Sequence, residues 1–159
     1  MDAIPVRHVR HVRLAYNYKS RNVSDEIIAS DTLDQNTYDQ IYGNYRIASG
    51  GADYVVALQP FSEDNLVVFN RNTIHLISGV SGSLEETVVQ EITREVGCLA
   101  RKSVVQVGNR IFFLSDNGIY AVTFQDLYNL RGASIPLSEA IEPTIKRINK
   151  DYAYNSVAI

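Results

Sequence analysis

The strongest constraint on the fold comes from apolar runs in which hydrophobic and polar residues do not alternate. Leu66-Val67-Val68-Phe69 and Ile111-Phe112-Phe113-Leu114 are two such runs, and β-forming residues dominate both. A strand with one face in water alternates apolar and polar residues, whereas a strand covered on both faces does not. The two runs therefore predict strands that lie between sheets stacked face to face.

Short turn sequences separate these runs from further β-rich segments. The turns are Asn70-Arg71-Asn72 and Asp116-Asn117-Gly118, and Asn-Gly favours a tight hairpin because both central residues adopt positive φ. Residues 66–77 can be aligned with residues 103–114 at an offset of 37 residues. Propeller blades repeat every ~40–45 residues, and no clean third copy is evident upstream. We predict a mostly β fold: an incomplete β-propeller-like stack of antiparallel sheets with one short C-terminal helix.

The whole chain, residues 1–159, is expected to form a single partial propeller-like domain. Residues 1–53 contain many Asp, Asn, Ser and Gly residues, which favour turns, and we predict an irregular extended region there. Residues 54–124 are predicted to form two blade-like hairpin units. Residues 125–159 are predicted to form a loop, the short helix and a terminal strand.

Pro143 indicates where the C-terminal helix begins. Proline is favourable at the first position of a helix and breaks a helix interior, so we expect the helix to run from about Pro143 to Asn149. Its apolar residues would then pack on the sheet, and these are Ile141, Ile145 and Ile148. Tyr152–Ile159 is predicted to begin a further strand.

Composition limits the class of protein. With 45% hydrophobic and 21% charged residues the chain is an ordinary globular sequence, and a net charge of −3 gives no overall attraction to nucleic acid or anionic membrane. The single cysteine cannot form an internal disulfide. No apolar run approaches the ~18 residues of a membrane helix, and the N-terminus lacks the pattern of a secretion signal. We therefore expect synthesis in a reducing cytoplasm and no membrane partner.

The only local basic run is Arg7, Arg10 and Arg13. Phosphate contact requires cations and no base-specific geometry, so these three arginines are candidate DNA-facing residues. A solvated strand with nearby aspartates as partners is the simpler interpretation. His8 and His11 would point to opposite faces of a strand, and no cysteine or carboxylate nearby completes a metal set.

No catalytic motif is found. Cys98 and His75 would act as nucleophile and base only if they met in space. Gly97-Cys98-Leu99-Ala100 has instead the character of a blade-to-blade connection, with Cys98 as a small buried apolar residue. The aspartates of residues 31–39 do not follow the calcium-loop pattern and are expected to cap turns. We predict that the protein is not an enzyme and uses no metal or other cofactor.

Several strings of structural residues carry a resemblance to a known family. They are Ala52–Leu58, Glu63–Phe69, Ile74–Gly79, Gly97–Val105, Gly108–Tyr120, Leu137-Ser138 and Ile141-Glu142-Pro143 with Ile148. Over roughly Ser20 to Ile159 they resemble the β-propeller domains of tailed-bacteriophage tail-nozzle and packaged-DNA stabilisation proteins. Members of that family are several times longer, which implies that this chain is a fragment or the product of a split gene.

The resemblance implies a structural component of a phage virion tail or neck that contributes to a ring retaining or conducting packaged DNA. Expected partners are other virion proteins, in an adaptor or portal-proximal ring or in the tail, with homo-oligomers in the full-length form and non-specific contact with DNA. The expected location is the virion, after synthesis in the host cytoplasm. The alternative is a host-recognition or carbohydrate-binding propeller module, because ten tyrosines offer flat apolar faces with polar tips.

Overall fold

A computed structural model describes residues 4–6, 10–14, 26–31, 34, 36–38, 43–47, 53–80, 86–123 and 135–159 of the chain, and of residues 4–6 and 10–14 it describes the backbone. The described residues form eleven β-strands, one short α-helix and short 3₁₀ turns. The fold is mostly β, as predicted.

The strands form three antiparallel sheets, and each sheet follows chain order. The first sheet consists of β1 (Ile4–Val6), β2 (Arg10–Leu14), β3 (Glu26–Ala29) and β4 (Asn44–Arg46). The middle sheet consists of β5 (Val55–Pro60), β6 (Asn65–Asn70), β7 (Ile74–Ser78) and β8 (Val88–Thr93). The last sheet consists of β9 (Val105–Val107), β10 (Arg110–Ser115) and β11 (Gly118–Thr123). Each sheet is an up-and-down meander in which a strand pairs with its neighbours in sequence.

The middle sheet is covered on both faces, because β6 contributes to two separate hydrophobic clusters. Val67 and Phe69 pack with the last sheet, and Leu66 and Val68 pack with the first sheet. All four side chains are fully buried. Burial of a Val, Leu or Phe side chain stabilises a fold by ~1.5–3 kcal/mol. The prediction that this apolar strand lies between two stacked sheets is confirmed.

Aromatic side chains join the middle and last sheets. The ring centroid of Phe113 in β10 lies 5.0 Å from that of Phe69 and 6.1 Å from that of Tyr120 in β11. These separations are typical of favourable aromatic pairs. Ile111 and Val122 complete the contribution of the last sheet to this cluster.

β10 differs from β6 in its burial. Ile111 and Phe113 are fully buried, whereas Phe112 and Leu114 on the opposite face are half-buried. The sequence predicts that both faces of this run are buried. Only the face with Ile111 and Phe113 belongs to the hydrophobic cluster shared with the middle sheet.

The prediction of an irregular region over residues 1–53 is wrong for the part that the structure describes, because β1–β4 form a sheet there. Ile27 and Ala29 of β3 are buried against the middle sheet. Strands of three to five residues carry little periodicity of their own. Packing on a neighbouring sheet, which local sequence does not record, stabilises them.

The repeat of the fold is 45 residues rather than 37. Arg71-Asn72 joins the second and third strands of the middle sheet, and Asp116-Asn117 joins the second and third strands of the last sheet, 45 residues later. The 37-residue alignment matches β6 to β9, because both strands are rich in valine, and it is wrong by one strand. The first sheet is a further antiparallel sheet of consecutive strands, and the 37-residue alignment did not include it.

The C-terminal helix is shorter than predicted. It runs from Glu142 to Ile145 (α1), with Pro143 in its first turn, and a 3₁₀ turn of Glu139–Ile141 precedes it. No residue of α1 is buried, and Ile148 is exposed, so the isoleucines do not pack on the sheet as predicted. Four helical residues are too few to present a complete apolar stripe.

The predicted terminal strand over Tyr152–Ile159 does not form: a 3₁₀ turn covers Ala153–Asn155 and the residues after it belong to no sheet. This part of the chain is attached to the last sheet, since Leu137 N–H donates to Ile119 O at 2.8 Å and Ala158 N–H donates to Lys102 O at 2.9 Å. The predicted loop at residues 125–134 lies outside the described residues.

Candidate functional site

The segment between β8 and β9, residues 94–104, connects the middle and last sheets. Cys98 N–H donates to Asn70 O at 2.9 Å, and Leu99 N–H donates to Leu114 O at 2.8 Å. Gly97 lies so close to the turn Arg71-Asn72 that a Cβ atom there would overlap the carbonyl oxygen of Arg71. This crossing segment holds the ends of β6 and β10 together, which confirms the prediction of a blade-to-blade connection at residues 97–100.

An ion pair joins the equivalent turns of the same two sheets. Nη2 of Arg71 lies 2.8 Å from Oδ1 and 2.7 Å from Oδ2 of Asp116. The side chains are 23% and 40% exposed, so water screens part of the attraction. The pair aligns the two turns and is a structural contact between sheets.

The first strands of the three sheets lie side by side. β1 approaches β5 along the stack, and Nε2 of Gln59 in β5 donates to Oε1 of Gln106 in β9 at 3.4 Å. Gln106 in turn donates to Phe61 O at 3.5 Å. A propeller brings the first strands of its blades together around its central channel in this way.

The predicted basic site is only partly within the described residues. Arg10 and Arg13 lie in β2, whose backbone pairs with β1 and β3, and Arg7 lies outside the described residues. Two further cations, Arg101 and Lys102, are exposed just before β9. Two adjacent basic residues are the signal that could have identified them in the sequence.

His75 is the one buried histidine among the residues whose side chains the structure describes. Its Nε2 lies 3.8 Å from Oε2 of Glu91, and its Nδ1 lies 3.5 Å from the hydroxyl of Thr73, which donates to Asp53 at 2.8 Å. Burial lowers the pKa of His75 below its usual value, although the nearby charges of Glu91 and Asp53 oppose the shift. Burial therefore favours the neutral form of His75 within the middle sheet.

Cys98 and His75 have separate partners. The Cys98 thiol is fully buried and donates to Ala100 O at 3.3 Å. Burial raises the pKa of this thiol, which disfavours the reactive thiolate. The arrangement gives no support to a cysteine nucleophile with a histidine base.

The polar loop around Asp34 has a structural explanation. Asp34 Oδ1 accepts from Asn36 N–H at 3.0 Å and Oδ2 accepts from the Thr37 hydroxyl at 2.7 Å. The Thr37 hydrogen bond, with that from Asn36, lowers the pKa of Asp34. These bonds confirm turn capping there. In the described part of the chain, no three His, Cys, Asp or Glu side chains are grouped so that they could hold a metal ion.

The tyrosines are divided between core and surface. Tyr120 is buried, and Tyr45 packs on the cluster between the first and middle sheets while its hydroxyl donates to Thr87 at 3.1 Å. Tyr54, Tyr152 and Tyr154 are exposed. In sequence, the first of these precedes β5 and the other two follow α1.

Comparison with known protein families matches residues 2–156 to the family described as bacteriophage P22 Gp10, beta-propeller. The chain belongs to this family. Membership in the P22 Gp10 family confirms the resemblance to phage DNA-stabilisation proteins. A search of curated proteins found no match.

The P22 Gp10 family is one of structural bacteriophage proteins that stabilise packaged DNA, and the chain is a phage virion protein of this kind. Three stacked antiparallel sheets with adjoining first strands are the arrangement that a β-propeller requires. Within the described ranges, no helix has the length and apolar character needed to cross a bilayer.

Proposed function

We propose that the protein is a structural component of a phage tail or neck, and that it contributes to an oligomeric ring that retains or conducts packaged DNA. The observation that carries this proposal is the P22 Gp10 family match over residues 2–156. Its partners are other virion proteins of the adaptor or portal-proximal ring and the tail, and it is carried in the virion after synthesis in the host cytoplasm.

The role is non-enzymatic. Two side chains that could take part in catalysis have structural partners instead. The buried Cys98 thiol donates to a backbone carbonyl, and Asp116 forms an ion pair with Arg71. The polar contacts at the junction of the middle and last sheets hold strands and turns together. This use of polar residues supports a structural role.

Arg7, Arg10 and Arg13 are proposed to contact DNA phosphates. Arg10 and Arg13 belong to β2 of the first sheet. Contact of arginine with phosphate releases counterions from DNA and is independent of base sequence. A protein that holds a whole genome in place requires contacts of this sequence-independent kind.

The role in DNA retention can be tested in the phage that encodes the chain, by deleting its coding sequence and purifying the resulting particles. Capsids should assemble and fill, and the genome should then become sensitive to added nuclease. Supply of the protein from a plasmid should restore protection. Particles that keep their DNA protected without this protein would contradict the proposal.

The arginines are tested separately in the same complementation system. Arg7, Arg10 and Arg13 are replaced together by glutamine, and the matched control replaces the exposed cations Lys146, Arg147 and Lys150, which changes the net charge equally. DNA retention should fall for the first variant only. Equal DNA retention by both variants would show that the three arginines do not contact DNA. The proposed role of the protein in DNA retention would be unaffected.

A further inference from the structure

The turn between β10 and β11 contains the single Asn-Gly dipeptide of the sequence, because Asn117 is the one asparagine that glycine follows. The backbone nitrogen of the residue after an asparagine can attack the carbon of the side-chain amide. A side chain on that following residue hinders the approach, and glycine has none. Asn117 is therefore the asparagine whose side chain is least hindered from this attack.

The structure exposes Asn117 at the tip of this turn. Ser115 and Gly118 are cross-strand partners that close the turn, so Asp116 and Asn117 are its two central residues. Asn117 is exposed, whereas Gly118 is buried. Water and hydroxide can therefore reach Asn117 from outside the sheet.

Packing of residues 136–138 requires glycine at position 118. The φ angle of Gly118 is +140°, a value that residues with a side chain rarely adopt. A Cβ atom there would overlap Oγ of Ser138 and lie 3.0 Å from Cβ of Pro136. Oγ of Ser138 is itself fixed, because it accepts a hydrogen bond from Ile119 N–H at 3.0 Å. The fold thus keeps glycine, the least hindering residue, directly after Asn117.

We propose that Asn117 deamidates in the folded protein, at a rate that the ion pair between Arg71 and Asp116 restrains. The backbone nitrogen of Gly118 forms a bond to Cγ of Asn117, and the bond from Cγ to Nδ2 breaks. The amide leaves as ammonia, taking the proton of the backbone nitrogen. Water then opens the cyclic imide at either carbonyl, which gives aspartate or isoaspartate. No oxidant or reductant is needed, and either product adds one negative charge.

The restraint follows from the position of the turn at the junction of two sheets. The backbone of Gly118 belongs to the ladder with Ser115, so its nitrogen reaches Cγ of Asn117 only when the turn opens. Asp116, the neighbour of Asn117 in the turn, is held by Arg71 of the middle sheet at 2.7 Å. Opening of the turn disturbs this pair, and the reaction rate follows the fraction of molecules in which the turn is open.

Deamidation should in turn weaken the junction between the middle and last sheets. The new carboxylate lies next to Asp116, and like charges in one turn repel. An isoaspartate also routes the backbone through Cβ, which lengthens a turn that has two central residues. The modified turn therefore fits less well against Arg71.

The test is incubation of the purified full chain at mildly alkaline pH, followed by peptide mapping with mass spectrometry and detection of isoaspartate. The product should accumulate at Asn117. Asn109 is the internal control, because it is an exposed asparagine in the turn between β9 and β10 and is followed by arginine. It should remain unmodified over the same period.

The restraint is tested with Arg71→Gln, which should deaminate no side chain of its own and should raise the rate at Asn117 about two- to fivefold, as expected from loss of a partly exposed ion pair. Glu142→Gln is the matched control, since it removes a pair that joins no sheets, and it should leave the rate unchanged. Circular dichroism checks that both variants fold. If Arg71→Gln does not fold, the rate of the wild-type chain in high salt replaces it, because salt screens the pair.

Three outcomes would overturn the inference: no product at Asn117, equal rates at Asn117 and Asn109, or equal rates in the wild-type chain and in Arg71→Gln. The inference concerns the chemistry of one turn in the purified chain. It does not rest on the DNA role, which is measured separately as nuclease protection in particles.

Discussion

At the scale of single residues, the junction between the middle and last sheets depends on the absence of a side chain at Gly97. A Cβ atom there would overlap the carbonyl oxygen of Arg71 and approach the amide nitrogen of Asn72 within van der Waals contact. Both are backbone atoms of a tight turn, which cannot move as the end of a flexible side chain can. The crossing segment therefore tolerates only glycine at this point.

Gly97→Ala should lower the free energy of unfolding by about 1–3 kcal/mol, the range for an added methyl group that the packing cannot accommodate. Chemical denaturation followed by circular dichroism measures the change. Gly108→Asn is the control: φ of Gly108 is +61°, which asparagine tolerates, and no atom lies within 4 Å of the added Cβ. The control should lie within about 0.5 kcal/mol of wild type. Equal losses in the two variants would show that Gly97 is not sterically required.

His75 should make the stability of the fold depend on pH. Burial lowers its pKa in the folded state, so below about pH 6.5 the unfolded chain binds a proton that the folded chain does not. Stability is then lost as the pH falls through 6.5, with a slope of at most about 1.4 kcal/mol per pH unit for one proton, and the loss ends once the pH is below the lowered folded-state pKa.

The measurement for His75 is the free energy of unfolding from pH 8 to pH 5, for wild type and for His75→Gln. Glutamine keeps a polar side chain and does not titrate. The two curves should converge as the pH falls, because only the wild type loses the contribution of a neutral histidine. Parallel curves over this range would mean that the pKa of His75 is unshifted.

At the scale of elements, β6 and β10 show how much of the fold the sequence can predict. The unbroken apolar run of β6 predicts burial on both faces, and both faces are buried. The run of β10 has the same pattern, yet among the described residues Ile111 and Phe113 on one face are fully buried and Phe112 and Leu114 on the other are half-buried. Hydrophobicity records which residues favour burial, and it does not record how completely the fold buries them.

The elements that the sequence predicted least accurately are short. β1 and β4 have three residues each, and α1 has four. A helix or strand this short has no measurable period, so packing against neighbours and turn chemistry decide it. The candidate site was predictable in part: the connection at residues 97–100 follows from its sequence, whereas the ion pair across it depends on the 45-residue register.

That ion pair should couple the turns of the middle and last sheets. A double-mutant cycle with Arg71→Gln and Asp116→Asn should give a coupling energy of about 0.5–1 kcal/mol, as expected for a partly exposed pair. The coupling should decrease in 1 M salt, where the screening length is about 3 Å. The Glu142–Lys146 pair of α1, 2.7 Å apart on one helix, is the control for charges that join no sheets. An additive cycle at Arg71 and Asp116 would show that the turns are held by the backbone contacts instead.

At the scale of the whole molecule, stability depends on the middle sheet, which contributes a side-chain layer to each of two hydrophobic clusters. Loss of packing on either face of β6 weakens the contact with one neighbouring sheet while the other remains. Exposed residues of the outermost strand β8 take no part in this packing. The burial of a side chain between two sheets therefore predicts how much its substitution destabilises the protein better than residue type alone.

Val68 and Val88 provide a matched pair for this prediction. Val68 is fully buried between the first and middle sheets, and Val88 is 60% exposed in β8. Val68→Ala should destabilise the protein by about 2 kcal/mol, through lost burial and an unfilled cavity, and Val88→Ala by no more than about 0.5 kcal/mol. Thermal unfolding measures both changes. Similar effects at both positions would be incompatible with the stacked arrangement.

Because every sheet is built from consecutive strands, the order of synthesis affects how this protein folds on the ribosome. Pairing between sequence neighbours closes short loops and is fast, so each meander can form soon after it emerges. Val67 and Phe69 nevertheless stay uncovered until β10 and β11 have been translated. During that interval the nascent chain exposes an apolar surface that is prone to aggregate. Slow translation between residues 70 and 123 should therefore increase the binding of chaperones to the nascent chain.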